Sequence, residues 1–255
     1  MLSRTRVDLN ADLGESEAGT GPDAAMMPAI TSANIACGFH AGDAAMMRAI
    51  VALARDHKVA IGAHPSLADR EGFGRRELPV TGREVENLVA YQVGALAGIA
   101  AAEGARVGHV KPHGALYNMA ARDRALADAI ARAVLAIDPS LVLFGLSGSQ
   151  LVAAGRDAGL RTASEVFADR GYQNDGALAP RGAAGAVIAD PQVVATRAVS
   201  MVRMRAVQAI DGRTVSLDVE TICLHGDTPG AAMRALAVRR ALEQAGIDVR
   251  SIGGP

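Results

Sequence analysis

Ionisable and amide side chains alternate with aliphatic ones in several short apolar runs of this sequence. The clearest positions are Asp8, Asn10 and Asp12 near the start of the chain and His109, Lys111 and His113 near its middle. Because the side chains of a β-strand point alternately to opposite faces, each of these runs would carry one polar face. Carboxylate, imidazole and amine groups gathered on one surface are the groups that general acid–base catalysis uses.

Seven β-rich runs would position these residues, and helix-periodic segments or polar loops separate them. The runs are 6–13, 32–39, 59–64, 105–113, 140–147, 162–169 and 221–227. Strands that alternate with helices predict parallel βαβ units. For a chain of 255 residues, this pattern predicts one α/β domain over residues 1–255, folded as a TIM-like β/α barrel one strand short of the usual eight. An open, doubly wound sheet is the alternative.

The polar faces of these runs are expected to point into the barrel, because helices cover the outer face of a parallel sheet. Barrel enzymes carry their active sites at the C-terminal ends of the strands. The ionisable residues at or near those ends are Asp12, His40, His64, Lys111, His113, Glu165, Asp169, His225 and Asp227. Burying such groups is costly unless they pair or function, so their convergence predicts an active site. We expect His109 to be a hydrogen-bonded core histidine and His57 to be a surface residue.

Composition and charge argue against several classes of protein. The net charge is −1 and no basic stripe with interleaved aromatic residues occurs, so we expect no nucleic-acid partner. No run approaches the roughly 20 apolar residues of a membrane span, and the first residues lack the apolar core of a signal peptide. Cys37 and Cys223 form no disulfide framework and are expected to be buried thiols. We therefore expect a cytoplasmic protein with no membrane partner.

Familiar nucleotide and metal motifs do not occur in the sequence. It has no G-x-x-x-x-G-K-[ST] P-loop, no H-E-x-x-H zinc motif and no G-x-G-x-x-G after the first strand. Asp and His side chains at separate strand ends could still hold one divalent ion such as Zn²⁺ or Mn²⁺, and the residues alone leave this open. Two long segments, 66–79 and 171–189, are expected to be binding loops.

Six segments resemble motifs of the LamB/YcsF family. They are DLNADLGE (8–15), SANIACGFHAGD (32–43), IGAHPSLADREGFGRREL (61–78), VKPHGALYN (110–118), EVFADRGYQNDGALAPRG (165–182) and ICLHGDTPGA (222–231). The resemblance implies a distorted seven-stranded β/α barrel. It also implies the activity of the family as the A component of the bacterial ATP-dependent 5-oxoprolinase, in which 5-oxoproline, ATP and water give glutamate, ADP and phosphate. ATP is then the co-substrate, and subunits B and C of that enzyme are the partners.

The implied reaction suggests roles for individual residues. Asp12 would be the general base or hold the attacking water, and Lys111 would stabilise the carbonyl or phosphoryl oxygen. The proton for the lactam nitrogen would come from His64 or His113. Substrate binding is predicted for Asn10, Asn34, His40, Glu165, Asp169, Arg170 and His225.

Two other functions stay open at this point. One is a metal-dependent deacetylase or amidase of the barrel type, which stoichiometric zinc and ATP-independent activity would indicate. The other is a non-catalytic scaffold that binds 5-oxoproline and presents it to partner subunits. The density of ionisable groups argues against the scaffold, because a pocket for a small ring needs few polar groups.

Overall fold

The predicted barrel is present in the computed structural model of the chain, which describes residues 5–16, 20–224 and 230–254. The described strands are β1 (Arg6–Leu13), β2 (Ser32–Ala36), β3 (Ala60–His64), β4 (Val107–Val110), β5 (Val142–Leu146), β6 (Arg161–Phe167), β7 (Ala206–Gln208), β8 (Thr214–Ser216), β9 (Thr221–Leu224) and β10 (Asp248–Val249). Within these residues, β1 to β6 and β9 pair in parallel in chain order, and β9 pairs back with β1. This closure gives a seven-stranded barrel and rules out the open sheet.

Helices surround the barrel on its outer side. The described helices are α1 (Gly21–Met26), α2 (Ala44–Asp56), α3 (Gly82–Ala102), α4 (Gly114–Arg122), α5 (Arg124–Ile137), α6 (Gln150–Asp157), α7 (Pro191–Met204) and α8 (Ala231–Gln244). Their starts follow local capping chemistry. Asp43 accepts a hydrogen bond from the backbone N–H of Met46, and Thr81 and Glu84 form a reciprocal capping box. These caps fix where α2 and α3 begin, and therefore where the loops that precede the two helices end.

Strands β2 and β4 end earlier than the sequence pattern predicts, whereas β1 and β3 end where it predicts. Strand β2 stops at Ala36 rather than at residue 39, because Gly38 takes a φ of 90° and turns the chain away. Strand β4 stops at Val110, ahead of Pro112, which has no N–H to donate. The backbone N–H groups of Lys111 and His113 still donate to the β3 side of the barrel, to the carbonyls of Ala63 and Pro65. The extended course that carries the predicted polar face is therefore kept.

The two faces of β1 separate as predicted. Leu9 and Ala11 belong to the large apolar core, while Asp8 and Asn10 make polar contacts across the barrel interior, and all four are fully buried. Asp8 Oδ1 accepts hydrogen bonds of 2.6 Å from the hydroxyls of Thr31 and Ser32. Burial raises the pKa of Asp8 against the effect of these hydroxyls. The carboxyl is thus satisfied at the closed end of the barrel, away from the strand ends that carry the site.

Helix α3 corrects one expectation drawn from the sequence. No segment of the sequence was expected to be long and apolar enough to cross a membrane. By length and composition alone, α3 is such a segment. In the structure α3 packs in the outer helical layer beside α5 and buries Val85, Val89, Val93 and Leu96. Its apolar character is therefore accounted for by packing within the described fold.

Three short strands were not predicted. Strands β7 and β8 form an antiparallel hairpin, and β10 pairs with the first residues of β1. Each has only two or three residues, too few to show the alternation that identifies a strand in a sequence. None of them forms part of the closed barrel.

Gly62 on β3 allows a close approach of His109 on β4. A methyl group at Gly62 would overlap the imidazole ring of His109, which is fully buried. We expect Gly62→Ala to lower the free energy of unfolding by about 1–3 kcal/mol through overpacking, measured by urea denaturation. Gly98→Ala in α3 is the matched control: that position has open space, and the change should raise stability by about 0.5–1 kcal/mol. A Gly62→Ala protein as stable as the wild type would contradict this packing.

Candidate active site

A cavity of about 260 Å³ opens at the C-terminal ends of the barrel strands. Its walls come from strand ends, from two loops and from the first turn of α4. The charged and aromatic residues that line it are Asp12, Glu15, His64, Arg75, Lys111, His113, Tyr117, Phe167, Arg170 and Arg181. The cavity therefore presents both cationic and anionic groups in a space suited to a small polar molecule.

Lys111 is the buried cation at the floor of this cavity. Its Nζ lies 2.9 Å from Asp12 Oδ1 and 3.0 Å from Glu165 Oε1. It also contacts Asn10 Oδ1 at 3.2 Å and Cys223 Sγ at 3.0 Å. Burial lowers the pKa of Lys111, but the neighbouring Asp12 and Glu165 carboxylates outweigh it and hold this pKa well above its ordinary value. The amine is therefore protonated, between two carboxylates.

Glu165 on β6 lies behind Lys111 and does not line the cavity. Its Oε1 accepts a hydrogen bond of 2.9 Å from Asn10 Nδ2, and its Oε2 accepts one of 2.7 Å from the Tyr117 hydroxyl. Burial, and then the Glu165 carboxylate, raise the pKa of Tyr117 well above its ordinary value, so the phenol stays a donor. Glu165 is thus held by three donors, and it fixes the position of the Lys111 amine.

Asp12 is oriented by contacts to each of its carboxylate oxygens. Oδ1 accepts from Asn34 Nδ2 at 2.8 Å and from Lys111 Nζ at 2.9 Å. Oδ2 lies 3.3 Å from His64 Nε2. The carboxylate therefore has one oxygen anchored to the barrel interior and the other on the histidine side of the cavity.

Three histidines and one glutamate meet beside Asp12, and we call Glu15, His40, His64 and His113 the histidine cluster. One ligand-type atom from each residue lies within 4.8 Å of all the others. Glu15 Oε1 is 2.9 Å from His40 Nε2, 3.2 Å from His113 Nδ1 and 3.7 Å from His64 Nε2. The cluster could hold a metal ion, because imidazole nitrogen and carboxylate oxygen are common metal ligands.

Backbone carbonyls determine which nitrogens of two cluster histidines carry protons. His64 Nδ1 lies 2.7 Å from the carbonyl oxygen of Lys111, and His113 Nε2 lies 2.9 Å from that of Phe73. A carbonyl oxygen can only accept, so each of these nitrogens must donate. In the neutral rings, His64 Nε2 and His113 Nδ1 then carry lone pairs, and these two atoms face each other at 3.0 Å.

The electrostatics of the cluster favour an ionised Glu15 carboxylate beside a neutral His40 ring. Burial raises the pKa of Glu15, but the adjacent His113 and His40 rings lower it by more, so that this pKa is well below its ordinary value. Burial also lowers the pKa of His40 to about 4, against the opposing effect of Glu15. At neutral pH Glu15 therefore carries a negative charge next to the uncharged His40 ring.

The two long loops predicted to bind ligand do contribute cavity walls. From the loop 66–79, Phe73 contacts His113 through its carbonyl and Arg75 lines the cavity. From the loop 171–189, the segment 178–181 also lines the cavity. Arg170 at the start of that loop donates to the carbonyls of Ala186 and Ala179 at 3.1 and 2.7 Å, which holds the loop against the strand end.

Comparison with known proteins shows where the chain belongs. The sequence profile of the LamB/YcsF family matches residues 7–254. The chain belongs to the LamB/YcsF family. The A component of 5-oxoprolinase from Tolumonas auensis is 54% identical over 249 residues, which cover 97% of this chain and 99% of the relative.

Solved structures confirm the fold of this family member. The lactam utilization protein from Thermus thermophilus matches with a TM-score of 0.91 and 48% identity, over 97% of this chain and 100% of that one. A protein from Enterococcus faecalis V583 assigned to cellobiose-phosphate cleavage matches with a TM-score of 0.58 over 98% of each chain, at 17% identity. The second likeness shows the barrel fold alone.

The structure brings most of the predicted site residues together. Five of them line the cavity: Asp12, His64, Lys111, His113 and Arg170. Four others are buried beside or beneath it: Asn10, Asn34, His40 and Glu165. Asp169 is buried at the end of β6 next to Arg170. His225 lies outside the described residues, as does Asp227.

Among the charged and aromatic lining residues, sequence reasoning did not single out Glu15, Tyr117 or Arg181. Glu15 lies in the loop after β1, where Gly14 takes a φ of 75° and redirects the chain. Tyr117 is in the first turns of α4 and reaches back into the barrel. Their only sequence signal is membership of the motifs 8–15 and 110–118, because neither follows the strand periodicity.

His109 is the hydrogen-bonded core histidine that was predicted. It is fully buried, its Nε2 lies 2.9 Å from Asn34 Oδ1, and its ring stacks on Phe144. His57, also as predicted, is exposed at the end of α2. The Cys37 and Cys223 thiols are buried and form no disulfide. Cys223 Sγ also accepts a hydrogen bond of 3.0 Å from Lys111 Nζ.

The buried His109 should make stability depend on pH. Burial lowers the pKa of His109 to about 3, whereas an unfolded chain has the ordinary value of about 6.5. As the pH falls below 6.5 the unfolded state takes up the proton first, so stability is lost in the direction of low pH. When the pH is lowered from 7 to 5, we expect the free energy of unfolding of the wild type, measured by urea denaturation, to fall by about 2 kcal/mol more than that of the His109→Gln variant. Equal losses in the two proteins would contradict this prediction.

Proposed function

We propose that this chain is the A component of an ATP-dependent 5-oxoprolinase, in which the ring amide of 5-oxo-L-proline is hydrolysed to L-glutamate while ATP gives ADP and phosphate. The near-full-length similarity to a 5-oxoprolinase component of the same kind carries the proposal. The likeness to a lactam utilization protein supports the same substrate class. The cavity at the strand ends supplies groups that this reaction needs.

A five-membered lactam is an unreactive amide, so ATP must activate it. Transfer of the terminal phosphoryl group to the lactam carbonyl oxygen would give an imidate phosphate with a good leaving group. Water then adds to that carbon, and the ring opens at the C–N bond as the nitrogen takes up a proton, which gives γ-glutamyl phosphate. A second water attacks the acyl carbon of this intermediate and releases glutamate and phosphate, and the phosphate keeps the former lactam oxygen. The reaction needs a base for the water, a cation near the oxygen and a proton for the nitrogen.

Lys111 and Asp12 are the residues placed for the first two tasks. The protonated amine of Lys111 is buried, and in such a site a positive charge stabilises a developing oxyanion strongly. Asp12 is anchored through Oδ1, which leaves the direction of its carboxylate fixed toward the cavity side. We assign the water to Asp12 and the carbonyl or phosphoryl oxygen to Lys111.

The lactam nitrogen requires a proton from another group. His64 and His113 present bare nitrogens to each other when both rings are neutral. Either ring can therefore donate in this reaction only after the pair has taken up an additional proton.

Three arginines line the cavity, and their guanidinium groups suit the acid group of 5-oxoproline. Arg75, Arg170 and Arg181 all contribute to its walls. Guanidinium groups bind carboxylates through paired hydrogen bonds. A cavity of about 260 Å³ is below the usual range for larger ligands, which suits one small lactam acid. We therefore assign ATP binding chiefly to the partner subunits B and C.

Reconstitution tests the proposal. The purified chain would be combined with subunits B and C of its own organism, 5-oxo-L-proline and ATP, and glutamate, ADP and phosphate would be quantified. We expect the three products in equal amounts, and no glutamate when the chain or ATP is omitted. Glutamate formed at the full rate without this chain would overturn the proposal.

A second candidate function is favoured by one observation, the histidine cluster. Its three imidazoles and one carboxylate resemble the donor sets of metal-dependent amide hydrolases. Such an enzyme would release acetate or amine from an N-acylated substrate without ATP or partner subunits. Metal-dependent turnover of that kind by the isolated chain would favour this function over the first.

A further inference from the structure

The histidine cluster is unusual in the direction of its lone pairs. As described above, backbone carbonyls take the N–H groups of His64 and His113, and their remaining nitrogens face each other at 3.0 Å. Two acceptors at that separation repel unless something positive lies between them. A carboxylate oxygen of Glu15 lies 3.2 Å from one of these nitrogens and 3.7 Å from the other. Asp12 Oδ2 adds a second carboxylate oxygen 3.3 Å from His64 Nε2.

We propose that the histidine cluster binds one divalent first-row transition-metal ion, through one atom of each of its four residues. The proposal concerns metal binding, and its test does not use the lactam reaction. An ion bound here would take the two nitrogens of His64 and His113 that face each other, so the proton for the lactam nitrogen would then have to come from another group.

The spacing of the donor atoms fits such an ion. Ligand atoms about 2.1 Å from a tetrahedral metal lie about 3.4 Å from one another. Four of the six donor-atom separations in the cluster are 2.9, 3.0, 3.2 and 3.7 Å, on both sides of that value, and one ligand atom from each residue lies within 4.8 Å of all the others. The His40 and His113 rings stack in nearly parallel planes with their centroids 3.8 Å apart, so one of these rings must turn, and the other side chains must move slightly, for all four atoms to point at one ion.

The donor chemistry selects the class of metal. Three imidazole nitrogens and one carboxylate oxygen suit Zn²⁺, Mn²⁺, Co²⁺ or Fe²⁺. Mg²⁺ and Ca²⁺ prefer oxygen ligands and would be a poor match. The carbonyls behind His64 and His113 orient the two rings, which is the usual arrangement behind metal-binding histidines.

Metal titration of the untagged, chelator-treated chain tests the proposal. Calorimetry with ZnCl₂ and elemental analysis after dialysis should both give one ion per chain. Glu15→Gln and His113→Asn should each weaken zinc binding by at least about tenfold, since even the loss of an outer-shell partner costs 10–100-fold. His57→Asn is the matched control, because His57 is exposed at the end of α2 and is not a cluster residue. Zinc binding by this variant should equal that of the wild type.

A second measurement needs no variant and so does not depend on variants that fold. Co²⁺ added to the wild-type chain should give the intense visible absorption of a four- or five-coordinate ion with nitrogen ligands, and equimolar Zn²⁺ should remove it. A wild-type spectrum no stronger than that of hydrated Co²⁺ would overturn the proposal. So would zinc binding that is unchanged in folded Glu15→Gln and His113→Asn proteins, or that His57→Asn abolishes. An added proton shared by His64 and His113 would then account for the cluster.

Discussion

The Lys111→Met variant, assembled with its partner subunits, is expected to form glutamate about 10²–10³-fold more slowly than the wild type. Lys111 supplies the buried positive charge at the cavity floor, with Nζ 2.9 Å from Asp12 and 3.0 Å from Glu165. Methionine keeps the length of the side chain and removes only its charge and its donors. The measurement is kcat for 5-oxoproline-dependent glutamate formation at saturating ATP.

Stability should fall in the same variant, which calls for controls. Removing one partner of a buried ion pair costs about 3–5 kcal/mol, because a charge is left uncompensated. The double variant Lys111→Met with Glu165→Gln should recover part of this stability without recovering activity. Lys58→Met is the matched control, since Lys58 is the only other lysine in the chain and is exposed. A folded Lys111→Met chain with near-normal kcat would remove Lys111 from the mechanism.

Asp12→Asn has the second largest expected effect, a fall in kcat of about 10²–10⁴-fold, the range for loss of a general base. Asparagine is nearly the same size and still offers an oxygen to Asn34 and Lys111, the donors that hold Oδ1. The variant lacks the basic carboxylate that would take a proton from water. The loss should therefore appear in kcat more than in KM for 5-oxoproline.

The matched control for this change is Asp56→Asn, because Asp56 is exposed at the end of α2. It should leave both kinetic constants at their wild-type values. If Asp12→Asn raised KM with kcat unchanged, Asp12 would bind substrate without taking part in the chemistry. That result would favour the non-catalytic scaffold that binds 5-oxoproline.

The barrel could be predicted from the sequence because two regularities coincide. Alternation in residues 6–13 gave the bounds of β1 and correctly assigned Asp8, Asn10 and Asp12 to the interior. The rule that barrel sites lie at C-terminal strand ends then placed Lys111 and His113 in the cavity. Both inferences depend on backbone periodicity, which tertiary packing did not override.

The residues that could not be predicted lie where periodicity ends. Glu15 reaches the histidines through a glycine turn, and Tyr117 reaches Glu165 from a helix. The pairing of His64 with His113 depends on two backbone carbonyls whose positions follow from loop geometry. Such contacts come from elements far apart in the chain, and no single run of residues encodes them.

Tracing the lactam's carbonyl oxygen tests the proposed mechanism most directly. 5-Oxo-L-proline labelled with ¹⁸O at the ring carbonyl would be turned over by the reconstituted complex, and released phosphate would be analysed by mass spectrometry. We predict that each phosphate carries the labelled oxygen, and that Lys111→Met in this chain suppresses labelled phosphate and glutamate together. Label that stays wholly in glutamate, or labelled phosphate formed at an unchanged rate with Lys111→Met, would contradict the mechanism.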